Sequence, residues 1–289
     1  MNYKKIVLLV LGFFVSFVGF SQDAKERNQE NINVNKFRQL YQEFSSPNMF
    51  RTASGAPGPA YYQQQADYKM DIELDDENKR IYGSETITYT NNSPDNLEYL
   101  WVQLDQNMRA PDSKTPLAKS EDLGNTTFND PVTFTKNNLT KPADFGFKIK
   151  EVNNSTGGSL SYTVNRTMMR INLPQPLAPG NTFEFSIRWN YLINNSVTDG
   201  GRSGFELFPD GNKNFTIAQF FPRLAVYDNV EGWQNMQFWG RSEWALEFGD
   251  YDVKITVPAD HIVDATGELL NEKKVLTKEQ RVRFEKART

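Results

Sequence analysis

The sequence contains no cysteine and a single histidine, His261. Without cysteine there is no disulfide, no thiolate nucleophile, no thiolate metal ligand and no residue for lipid attachment at an export signal. One histidine removes most of what is left. Catalytic zinc takes three protein ligands, usually His, Glu or Cys, and the chain has no H-E-x-x-H. A Ser-His-Asp site would need His261 beside a nucleophile, and no G-x-S-x-G occurs. His261 follows a strand ending at Pro258 and reads as an exposed turn residue rather than a ligand. Phosphate-cradling glycine loops are missing as well.

Basic clusters are also lacking. The net charge is −4, with 32 Lys and Arg against 36 Asp and Glu, and nucleic-acid binding needs clustered cations to neutralise phosphate. Long apolar runs are confined to one place. Ile6 to Phe20 gives 15 residues behind Lys4 and Lys5, with Gly19 and Ser21 placing small residues at −3 and −1 of a cleavage site before Gln22. That is the layout of a secretory signal over residues 1–21, shorter than the roughly 20 residues a membrane span requires. The expectation is an exported chain, periplasmic or extracellular and of a Gram-negative bacterium, with no membrane partner after cleavage. A core large enough to do without disulfides fits export of a domain of this size. The Asn-x-Ser/Thr tripeptides at Asn125, Asn138, Asn165 and Asn214 read as chance in an Asn-rich chain.

What is present is a folded composition, 38% apolar and 13% aromatic, with strong two-residue periodicity. Residues 22–66 are polar and broken; 22–42 fits a surface helix, and the Ser-Ser-Pro and Gly-Ala-Pro-Gly-Pro steps after it mark a linker or an arm lying on the body. From Asp67, Tyr68, Met70, Ile72 and Leu74 alternate with polar neighbours, and Ile81 to Thr90 reads as the partner strand across a turn at Asp75 to Lys79. Further strands are expected at 99–104, 145–152, 159–164, 167–173 and 251–257, with the polar, Pro-broken stretch 105–144 as an excursion of little regular structure. Thr182 to Tyr191 is the clearest, placing Phe183, Phe185, Ile187, Trp189 and Tyr191 on one face. Each such side chain contributes about 1.5–3 kcal/mol on burial, so this is a core face. Thr277 and Gln280 form a capping-box pair that starts a helix. The fold class is all-β, a saddle-like antiparallel or mixed β-sandwich, with a short helix at the C-terminal end.

Candidate chemistry is sparse. Paired carboxylates of the glycosidase kind are a possible reading of the many acids, against the plainer one of surface acids on a sandwich. Residues 217–246 bring Phe220, Phe221, Tyr227, Trp233, Phe238, Trp239 and Trp244 together with Gln219, Arg223, Gln234 and Asn235. That density suits a ligand wall or a flap of core, and packing is favoured on composition.

Four stretches carry a resemblance: "GPAYYQQQADYKMDIELDDENKRIYGSETITYTNNS", "LPQPLAPGNTFEFSIRWNY", "IAQFFPRLAVYDNVEGWQNMQFWGRSEW" and "FGDYDVKITVPADHIVDATGEL". In this order, over roughly residues 58–270, they resemble the N-terminal domain of aminopeptidase N-type zinc metallopeptidases, the family that includes leukotriene-processing hydrolases. They look closest to large exported versions from bacteria of the Bacteroidetes type. The resemblance implies an all-β domain at 67–272, the start of a helical connection at 273–289, and a thermolysin-like catalytic domain beyond it. That second domain would carry the H-E-x-x-H, the zinc and the peptide-binding strand. The family's zinc is therefore expected to be bound by a part not in this chain, and peptide substrates to be reached through it. This chain alone is expected to hydrolyse nothing. One role transfers to a residue here. In the family a Gln or Glu near the end of the N-terminal domain binds the substrate's free α-amino group, and "AQFFPR" puts Gln219 in that place. The alternative reading is a free-standing sandwich module that binds glycan or protein ligands through the Trp-rich segment.

Overall fold

A computed structural model describes residues 47–115, 143–240 and 245–288. The signal segment, the helix expected over 22–42, most of the excursion after 115 and Trp244 lie outside the described residues. In chain order the strands are β1 (Gln65–Asp75), β2 (Arg80–Thr90), β3 (Leu97–Gln103), β4 (Lys148–Asn154), β5 (Tyr162–Asn165), β6 (Met168–Leu177), β7 (Thr182–Leu192), β8 (Gly204–Leu207), β9 (Lys213–Thr216), β10 (Arg223–Leu224), β11 (Tyr227–Asp228), β12 (Gly232–Trp233) and β13 (Tyr251–Thr256). A 3₁₀ turn covers Asp105–Arg109, and helices α1 (Glu272–Val275) and α2 (Lys278–Arg288) follow β13.

Two sheets face each other. The larger has the order β13-β1-β2-β7-β4 and the smaller β10-β3-β6-β5, with ribbons β11-β12 and β8-β9 beside them. All pairings are antiparallel except β13 with β1, which makes the larger sheet mixed. The alternation of β1, β2 and β7 sets their inner faces: Tyr68, Met70 and Ile72, then Ile81, Ile87 and Tyr89, then Phe185, Ile187, Trp189 and Tyr191, all buried. Phe183, expected on the same face, is only half-buried at the strand's start. The smaller sheet answers with Leu100, Val102, Met169 and Ile171. Gly83 stands opposite Trp189 in the β2–β7 register, and a Cβ there would run into the indole. The bare backbone lets the largest core side chain lie across the strand.

Two features depart from the expectation. Asp105–Arg109 forms an ordered 3₁₀ turn where little regular structure was expected, and Asp105, Gln106, Asn107 and Arg109 are all buried in it. The β8-β9 ribbon over 204–216 was not anticipated. The capping box forms as read: the Thr277 N–H donates to Gln280 Oε1 at 2.7 Å and the Gln280 N–H to Thr277 Oγ1 at 3.2 Å.

Candidate functional site

Gln219 sits between β9 and β10 with φ +52°. The left-handed region costs a residue with a Cβ about 1–2 kcal/mol. Among the described residues two other non-glycine residues share it, Lys79 and Arg166, and both lie in the tight connections of hairpins, β1–β2 and β5–β6, where turn geometry calls for it. Gln219 is in no hairpin. Its conformation is imposed by neighbours, and a strained residue fixed by its surroundings is where a functional hypothesis can start.

The 3₁₀ turn supplies that hold. Gln106 Nε2 donates to the carbonyl of Gln219 at 3.0 Å and to that of Ala218 at 3.2 Å. Its other amide atom, Oε1, accepts from Arg109 Nη1 at 3.1 Å. Two carbonyls on one side and a guanidinium on the other leave a single orientation for the amide. Ser203 completes the clasp: its hydroxyl donates to the Ala218 carbonyl at 2.8 Å, and the Ala218 N–H reaches Ser203 Oγ at 2.6 Å. Arg109 lies under the 199–204 loop, where a Cβ at Gly201, φ +102°, would collide with its Nη2. Burial pushes the Arg109 pKa down, against the opposing pull of Tyr191 and Asp199.

The other end of the segment is pinned by the neighbour of Gln106 on the same turn. Arg223 Nε lies 2.6 Å from Asp105 Oδ2, with 9% and 1% of the two side chains exposed. Burial raises the Asp105 pKa, and Arg223 draws it back only in part. Between the anchors, Phe220 and Phe221 are half-buried and meet edge to face at 5.2 Å. Phe221 packs edge-on against Tyr68, which stacks on Tyr251 at 4.9 Å. Tyr68 Oη accepts the Leu224 N–H at 2.9 Å. The half-buried Gln219 side chain therefore projects from a backbone fastened on both sides.

The rest of the aromatic segment packs. Tyr227, Trp233 and Phe238 are buried, and Trp239 is half-buried. Trp233 rests against Tyr227 and Tyr89 at 5.1 and 6.2 Å between ring centroids. Three acids have raised pKa values through burial: Glu85, Asp105 and Glu247, the last to about 7. Glu85 and Asp105 are sealed in the core, out of a sugar's reach. Glu247 Oε1 accepts the Tyr227 N–H at 2.9 Å. His261 is in the turn expected of it, its N–H bonded to the Pro258 carbonyl, but its ring is mostly covered rather than exposed. It packs 5.9 Å from Phe215 and bonds Asp260 at 2.9 Å through Nδ1. A depression of about 400 Å³ on the outer face of the larger sheet holds Lys69, Asp71, Asp252 and Lys254. Lys254 and Asp71 are paired there at 2.8 Å, and Gln219 is not part of the depression's lining.

Among the described residues no group of three or more His, Cys, Asp or Glu side chains could hold a metal ion. The described residues thus offer no ligand set that fits zinc.

Sequence comparison matches no family profile and no curated protein. Comparison of folds finds M1 zinc metallopeptidases. One from Deinococcus radiodurans is 12% identical with a TM-score of 0.36, over 74% of this chain and 38% of that one. A mutant of it bound to a Tyr-Ser-Ala substrate is 11% identical with a TM-score of 0.34, over 74% and 39%. A two-domain M1 zinc metallopeptidase mutant bound to L-tryptophan is 13% identical at 0.35, over 74% and 39%. The likeness is one of fold, and coarse. This chain spans less than two-fifths of the length of each.

The resemblance pointed to Gln219, and nothing in the sequence singled out Asp105, Gln106, Arg109 or Ser203, the residues that fasten its segment. The available signal was "LDQNMRAP", a polar run directly behind an apolar strand, whose burial only the tertiary fold makes evident.

Proposed function

We propose that this chain is the N-terminal, non-catalytic domain of an exported zinc-dependent aminopeptidase, and that Gln219 accepts a hydrogen bond from the free α-ammonium of a peptide. The zinc and the groups that cleave the peptide bond belong to a separate catalytic domain. The observation that carries this reading is the fastening of Gln219: a polar side chain outside any hairpin, in a strained backbone conformation whose carbonyl is held by Gln106, with Ser203 fastening the preceding residue, Ala218. A neutral amide oxygen serves an ammonium group as an acceptor, more weakly than a carboxylate would. The order of the four family-like stretches supports the assignment. So does the run 245–288, in which no residue is buried and Phe248, Ile262 and Leu270 stand in solvent. A face of that kind suits docking against more protein.

The test is a titration of the ¹⁵N-labelled chain with leucinamide and, separately, with N-acetyl-leucinamide. The amine is expected to shift the Gln219 side-chain amide saturably, the acetylated compound to leave it in place, and Gln219→Ala to abolish the response. Equal responses to both ligands would overturn the role of Gln219. The chain supplied with zinc is expected to release nothing from aminoacyl chromogenic substrates; chelator-sensitive turnover would contradict a non-catalytic domain.

A further inference from the structure

Resting on that reading of Gln219, we infer that Gln106 is the positioning residue of the ammonium site, acting through the backbone of the 218–219 segment without touching the ligand. Its amide is the only described side chain that reaches the Gln219 carbonyl. It is well placed to decide the backbone angles there. In the left-handed region the Gln219 carbonyl faces the buried Gln106 amide, and a carbonyl turned away from solvent needs a donor. Gln106 is buried, so its amide is committed to partners inside the protein. Remove that donor and the inward carbonyl loses its partner, while the strain of about 1–2 kcal/mol remains. The segment then relaxes toward ordinary β or right-handed angles, and the side chain swings away with it.

The arrangement is directional. Arg109 donates to Gln106 Oε1, which forces Nε2 toward the two carbonyls. A glutamate at 106 keeps the size and would pair more strongly with Arg109, yet it presents an acceptor where two acceptors already sit. Gln106→Glu is thus a change that reverses one interaction while preserving the shape and the burial. Ser203 fastens Ala218 but not Gln219, so Ser203→Ala provides a comparison in which the neighbouring peptide is loosened and the 219 carbonyl keeps its donor.

The experiment uses the whole chain, with two readouts. The first needs no ligand: the three-bond HN–Hα coupling and the Cα and Cβ shifts of Gln219, which report its φ. Gln106→Glu is expected to move these out of the left-handed range while the dispersion of the core resonances stays unchanged, and Ser203→Ala to leave them in it. The second is the leucinamide titration, in which Gln106→Glu is expected to raise the dissociation constant about tenfold, the worth of one hydrogen bond to a charged group. A folded Gln106→Glu chain with an unchanged Gln219 φ, or with unchanged affinity, overturns the inference and leaves the Gln219 reading standing. A wild-type chain that ignores leucinamide sinks that reading instead, and with it the site; the coupling constants then still decide whether Gln106 sets the backbone. Should the glutamate variant unfold, Gln106→Met, which removes the donor without adding charge, is put through the same two measurements with the same expectations.

Discussion

Arg223 and Asp105 form an ion pair at 2.6 Å inside the sandwich, joining β10 to the 3₁₀ turn that also carries Gln106. Losing one partner strands a buried charge, whereas replacing both removes attraction and desolvation penalty together. Asp105→Ala should therefore cost about 3–5 kcal/mol, and Asp105→Leu with Arg223→Met much less. Urea denaturation at neutral pH measures both. If the double variant is as unstable as the single one, the pair contributes more than charge balance.

Gln219 itself should be a stability defect. Glycine adopts the left-handed region without the Cβ penalty, so Gln219→Gly is expected to stabilise the chain by about 1 kcal/mol while ending the leucinamide response. That trade of stability for function is common at sites held under strain. A destabilised glycine variant would mean the side chain holds the loop, and the site argument would lose its footing.

Those residues also mark what the sequence could disclose. The inner faces of β1, β2 and β7 were legible because period-two alternation maps one-to-one onto a sheet with one buried face. The capping box was legible because Thr277 and Gln280 bond each other locally. Gln219 was reached through resemblance, and no local pattern points to it. The clasp was invisible for a different reason: Gln106 and Gln219 are 113 residues apart, and buried polar residues outside a periodic element look like a solvated loop until their partners are in place. The β8-β9 ribbon was hidden in the same way, being four residues a side with only Gly204 buried.

Glu85 presents an inner-face carboxyl with 2% exposure and no hydrogen-bond partner for either oxygen. Burial alone raises its pKa well above the usual carboxylate range. With the folded value above the unfolded one of about 4.3, its contribution is fully present below that pH and is lost as pH climbs toward the folded pKa. Each unit in that window costs about 1.4 kcal/mol. Glu85→Met should thus match the wild type near pH 4 in its pH slope and gain on it steadily above. Exposed acids with lowered values, Asp75 and Asp210, act in the opposite sense but are common to both proteins, so they cancel in the difference. Parallel stability profiles from pH 4 to 8 would show that Glu85 is ionised in the fold.

The last strand leaves the inner face of the larger sheet unfinished. Tyr251, Val253 and Ile255 align with Tyr68, Met70 and Ile72 across the parallel pairing, so they point to the same side, yet they are 47, 40 and 39% exposed. Apolar surface that is continuous with a core but open to water attracts other apolar matter. The isolated chain is expected to bind the dye ANS and to self-associate as concentration rises. Val253→Lys with Ile255→Lys should remove most of the dye signal and the association, at a stability cost within about 1 kcal/mol, since neither side chain is buried. ANS fluorescence and light scattering on the paired proteins decide it. If the lysines unfold the chain, β13 is part of the core and its stripe is no docking face; if the dye signal survives them, the open apolar surface lies instead along 262–284, and β13 falls out of the docking argument.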